Sequence, residues 1–188
     1  MGELNRDKKK KRSVKKANNL KSNWNNKKPV LLFIGLFVFL MILFYILWIS
    51  SFGSTHLFEP AIVFYATASG KILAWLGYNT SVTGTVIYSS MFNLNIKRGC
   101  DAIEATAMFA SAILAFPVPF RRKILGLIIG IVTLMLVNFI RIITLFITGL
   151  KHPALFNFMH DQIWQIIYIA IAVLLLLLWL QSLRHREG

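Results

Sequence analysis

Three long apolar runs constrain this chain more than anything else in it. Val30 to Ile49 is 20 residues without a charge, and Ile163 to Leu183 is 21. Ile124 to Leu150 is apolar apart from Arg141. At 1.5 Å per residue, such runs rise about 30 Å as helices, the thickness of a bilayer's hydrocarbon core. A soluble domain hides an apolar stripe; a helix that is apolar all round needs lipid or a very large core. Ala105 to Phe120 is a fourth uncharged segment, preceded by Asp101 and Glu104, so residues 101–120 can also cross. The expected fold is an all-α integral membrane protein with about four transmembrane helices. Composition agrees, with 56% hydrophobic and 15% charged residues. Soluble domains lie nearer roughly one half and one quarter. This excludes a disordered chain, a collagen-like chain and an ordinary water-soluble enzyme.

Two stretches do not fit a simple span. Residues 58–77 contain Glu59, Pro60, Gly70 and Lys71. Residues 82–96 are β-branched and partly alternating, with Ser89-Ser90 as a turn, and predict a short β-hairpin.

The formal charge of +14 is concentrated at the N-terminus. Residues 1–28 carry 11 Lys/Arg against Glu3 and Asp7 and have little apolar periodicity, so they read as a disordered basic tail. The first apolar run is too long for a signal-peptide core and predicts an uncleaved anchor. Further basic clusters are Arg121-Arg122-Lys123, and Arg184 with Arg186. Four spans place all three clusters on one side, the cytoplasm. A fifth crossing at 58–77 would split them, so that stretch is placed outside as an interfacial or re-entrant helix. The resulting organisation is a cytoplasmic tail at 1–28, a membrane-embedded domain at 29–183 and a cytoplasmic C-terminus at 184–188. The tail serves topology and binds anionic lipid headgroups; nothing folded accompanies it that would read nucleic acid.

Depth brings a few polar residues together. Cys100, the single cysteine, precedes the second span at its outer end. Arg141 lies 18 residues after Lys123, a rise of about 27 Å from the inner boundary. His160 lies three residues before Ile163, where the last span re-enters. A cysteine at a helix start, near cations, is favoured as thiolate. An imidazole can take the thiol proton and later protonate a leaving amine. An arginine at that depth can donate to an oxyanion or grip a substrate carboxylate. Glu104 shares the helical face of Cys100 and can pair with Arg141 or orient the site. Asn138, one turn before Arg141, can brace it. Asp161 adjoins His160, but neighbours on a regular helix point apart, so the set lacks a third carboxylate. A zinc site of Cys100, His152 and His160 has no close ligand pair, and no metal or cofactor is expected.

These residues resemble a known family. The run Cys100-Asp101-Ala102-Ile103-Glu104-Ala105, then Phe116-Pro117, Asn138-Phe139-Ile140-Arg141-Ile142, His152-Pro153 and His160 is similar to the exosortase/archaeosortase family. Leu125-Gly126, Gly149, Leu155-Phe156 and Trp164-Gln165 most resemble the exosortase H branch. The resemblance covers roughly residues 30–182. It implies a membrane cysteine protease or transpeptidase of the cell inner membrane, with Cys100, Arg141 and His160 catalytic. Its partners would be exported proteins ending in a short motif, a hydrophobic helix and a basic tail. For the exosortase H branch the motif is of the Ile-Pro-Thr-Leu-x-x-Trp-Gly type. One position departs: many members have glycine where this chain has Ala102. The competing reading is a non-enzymatic membrane scaffold or transporter subunit with Arg141 in an ion-pair network.

Overall fold

The computed structural model describes residues 27–97 and 102–184. The chain is mostly helical. Helix α1 is Lys27–Ile49. A short turn α2, Ser51–Gly53, and a wide π turn, Ser54–Phe58, lead into α3, Glu59–Trp75. Three strands follow: β1 Ser81–Thr83, β2 Val86–Tyr88 and β3 Asn93–Asn95. Then come α4 Ile103–Ala115, α5 Phe120–Lys151, α6 Pro153–Phe158, a second π turn Met159–Ile163, and α7 Trp164–Arg184.

The long apolar runs became long helices. Three helical stretches, Lys27–Ile49, Phe120–Lys151 and Pro153–Leu183, are long and apolar enough to cross a membrane. The fourth segment is shorter than its uncharged run. Helix α4 has 13 residues, about 20 Å of rise. Pro117 and Pro119 lie directly beyond it, and a proline cannot continue a helix. The Lys123 ammonium instead donates to the Leu114 carbonyl at 2.5 Å, capping the freed end of α4.

Helices α4, α5 and α7 pack around Phe109, Ile113, Leu134, Tyr168 and Trp179. Lipid gives apolar side chains little reason to leave it, so helices associate through close packing and interhelical hydrogen bonds. Both are present. Tyr168 Oη donates to the Leu134 carbonyl at 2.8 Å, and Trp179 Nε1 donates to the Arg122 carbonyl at 3.2 Å. On α5, Gly126 receives the Trp179 ring and Gly130 receives the Phe109 ring. A Cβ at Gly130 would lie 2.0 Å from Phe109 Cε1. Gly130→Ala should therefore lower stability by about 1–3 kcal/mol, read as a lower thermal midpoint in detergent. Gly35→Ala, where a Cβ meets nothing within 4 Å, is the neutral control.

A second core lies at the other end of α5, where Ile142 and Phe146 meet Tyr65, Ala66 and Leu73 of α3 and Ile87 and Leu94 of the sheet. Helix α3 is thus covered by α5 and the sheet rather than lying alone on a surface. The sheet is antiparallel in the order β1-β2-β3. The expected hairpin is a three-stranded meander. Ser89-Ser90 do turn the chain, with Ser89 N–H donating to Phe92 C=O at 3.0 Å. An additional turn at Gly84-Thr85, with Gly84 at φ +60°, adds the first strand. Helix α1 is exposed along most of its length. It touches the rest through rings, Trp48 against Phe58 at 4.7 Å and Phe33 against Phe116 at 6.0 Å.

Candidate active site

Helix α5 carries Arg141 at the junction of the two cores. Its 32 residues rise about 48 Å, so its first part packs on α4 and α7 and its last part on α3 and the sheet. Asn138 and Arg141 share the buried face of α5 and are 0% and 3% exposed. Arg141 lines a cavity of about 420 Å³ together with Ala102, Glu104, Gln165 and Tyr168. The rest of that cavity is apolar, walled by Phe33 and Phe37 of α1, Met108 and Ala112 of α4, and Val173 and Leu176 of α7.

No described carboxylate is paired with Arg141, and its Nε has no hydrogen-bond partner among the described residues. Glu104 lines the same cavity without forming an ion pair to it. A guanidinium stays charged at any accessible pH. Buried with no counter-charge among the described residues, a cation costs several kcal/mol. Such a group in an apolar protein is a place for an anion to arrive.

His160 lies in the π turn between α6 and α7. Its ring stacks on Phe156 at 5.8 Å and 15°. Its Nδ1 is 2.5 Å from Asp161 Oδ1. This corrects the expectation that Asp161 points away from His160. An i→i+5 turn is wider than an α turn, so successive side chains are separated by a smaller angle. Here the π turn Met159–Ile163 lets a carboxylate reach the ring of the preceding residue. His160 lines a second cavity, of about 340 Å³, with Phe92 to Lys97, Ile142, Leu145, Phe156 and Asn157.

Cys100 lies outside the described residues, as do Arg98, Gly99 and Asp101. The described residues on either side of that segment are informative. Lys97 lines the His160 cavity, and Ala102 lines the Arg141 cavity. Arg141 and Ile142, adjacent on α5, likewise divide between the two. In the sequence, Cys100 falls between Lys97 and Ala102. Ala102 has φ 57° and ψ 8°, the left-handed region. A non-glycine residue there costs about 1 kcal/mol. The backbone at this position thus favours glycine, and this chain accepts the strain with the smallest side chain. Its carbonyl accepts from Thr106 Oγ1 at 2.9 Å.

His152 is exposed between α5 and α6. From the sequence Asp161 is set aside, Gln165 enters only through the family resemblance, and Tyr168 is not a candidate. Gln165 is a polar residue in an otherwise apolar helix, which is a usable signal; Asp161 needed the π turn to be seen.

A family model, Transmembrane exosortase (Exosortase_EpsH), matches residues 27–181. No curated protein and no solved structure matches.

Proposed function

We infer the function from one premise: this chain belongs to the transmembrane exosortase family. The family is one of membrane cysteine peptidases and transpeptidases that act on exported proteins with C-terminal sorting signals. On that premise the chain cleaves such signals, and the exosortase H resemblance names the tag as the Ile-Pro-Thr-Leu-x-x-Trp-Gly type. The observation that carries the reading is Arg141, buried and without a paired carboxylate among the described residues, in a cavity that Ala102 also lines.

Cys100 is the nucleophile. Its sulfur attacks the scissile carbonyl, and Arg141 donates to the oxyanion that forms. His160 takes the thiol proton and returns it to the leaving amine as the carbon–nitrogen bond breaks. The resulting thioester is resolved by water or by an acceptor amine. Asp161 holds Nδ1 of His160, which directs the other ring nitrogen to the chemistry. Asn138 and Glu104 support the site from α5 and α4. The protein lies in the cell inner membrane with both termini cytoplasmic and the site toward the outer face. A substrate helix with a basic cytoplasmic end then presents its motif at that level.

Asp161→Asn should lower processing on the order of tenfold, while Asp161→Glu keeps most of it; initial rates on one reporter measure both. The reading itself is tested by co-expression with a reporter ending in the motif, an apolar helix and a basic tail. Mass spectrometry should find a new reporter C-terminus inside the motif. A reporter that keeps its full length in every membrane preparation overturns it.

A further inference from the structure

Strand β3 is an edge strand whose free side opens into the His160 cavity. The sheet order is β1-β2-β3, so among the described residues β3 has a neighbouring strand on one side only. Ile96 N–H donates to Thr85 C=O at 3.0 Å, and Phe92 C=O accepts from Ser89 N–H. Residues 92 and 96 thus turn their backbone groups toward β2. Backbone groups alternate sides along a strand, so those of Asn93 and Asn95 point the other way. No described group pairs with them. An edge of this kind is a template for another extended chain.

The cavity on that side fits the role. Six consecutive residues, 92–97, line it, as expected of a slot running along a strand edge. Asn157 and His160 line it as well, with Ile142 and Leu145 of α5. Its volume of about 340 Å³ is in the range of ligand sites. At about 3.4 Å per residue, Asn93 and Asn95 offer backbone pairing about 7 Å apart. Beyond Asn95 the chain continues through Lys97 to the segment that holds Cys100.

We propose that the sorting motif binds as an added β-strand, antiparallel or parallel, on the free edge of β3, held by backbone hydrogen bonds to Asn93 and Asn95 beside His160. This deepens the peptidase reading and rests on it. Affinity comes from main-chain pairing, and selectivity comes from the alternate motif side chains that enter the slot toward Phe92, Phe156 and Asn157.

The test uses full-length protein in membranes. Cys100→Ala removes the chain's one cysteine. In that background Asn95→Cys, or Ser81→Cys on the opposite edge strand, is paired with reporters carrying one cysteine at successive motif positions. Mild oxidation should crosslink Asn95→Cys at alternate motif positions and leave Ser81→Cys uncrosslinked. In the otherwise native chain, Asn95→Pro, which removes the outward N–H, should cut processing about tenfold. Asn95→Ala, which keeps the N–H, should retain more processing than Asn95→Pro. Crosslinking decides the matter if Asn95→Pro does not accumulate. Crosslinks that are absent, lack a period of two, or favour Ser81→Cys overturn edge pairing. If that happens while Cys100→Ala still blocks processing, the peptidase reading survives; if Cys100→Ala processes normally, that reading has failed instead.

Discussion

Cys100→Ala and Cys100→Ser should each reduce reporter processing by at least about 1,000-fold, with unchanged amounts of protein in the membrane. The alanine variant removes the nucleophile. The serine variant keeps size and hydrogen bonding but replaces a thiol of ordinary pKa near 8.5 with an alcohol that ionises far less readily. An imidazole positioned to take a proton from a thiol, even with Asp161 at its Nδ1, does not make up that difference. Packing makes the opposite forecast. A small buried apolar cysteine would tolerate alanine, and processing would continue. Quantitative immunoblotting of membranes, alongside the ratio of cut to uncut reporter, separates loss of chemistry from loss of protein.

Arg141→Met should lower processing on the order of 100-fold or more without destabilising the protein. The two halves of that expectation come from different physics. The activity loss follows from removing the donor to the oxyanion. The stability half follows from burial: Arg141 is 3% exposed and no described carboxylate is paired with it. An apolar side chain of similar length in that place is neutral or stabilising. Thermal unfolding in detergent should therefore show an equal or higher midpoint. A scaffold in which Arg141 anchors an ion-pair network would respond the other way, with a lower midpoint and reduced accumulation. Arg141→Lys keeps the charge but loses the planar fork of donors, so its activity should fall between the two.

The long helices were legible because charge is so costly in a bilayer that its absence over 20 residues is an unambiguous signal. Val30 to Ile49 became the main part of Lys27–Ile49, and Ile163 to Leu183 became most of Trp164–Arg184. Helix rise alone sets Arg141 about 27 Å from the inner boundary; that two cores meet at its level on α5 is not written in the sequence. What stayed hidden depended on local backbone geometry. Asp161 reaches His160 only because the chain widens into a π turn at Met159–Ile163, and no apolar period announces that. The additional first strand, β1, depended on a positive φ at Gly84. The truncation of α4 was written in Pro117 and Pro119, but the uncharged run around them read as continuous. The division of Arg141 and His160 between two cavities is a tertiary arrangement that depth alone does not resolve. Of the basic tail called at 1–28, residues 1–26 lie outside the described residues while Lys27 and Lys28 open α1; residues 185–188 and Cys100 also lie outside them.

The central claim is that the sulfur of Cys100 carries the substrate as a thioester. Peptide mapping of the chain, trapped in acid during reporter turnover, measures this directly. The predicted result is a hydroxylamine-labile acyl group on Cys100 whose mass matches the shortened end of the reporter. Reporter cleavage that continues undiminished after Cys100 has been fully alkylated would contradict it.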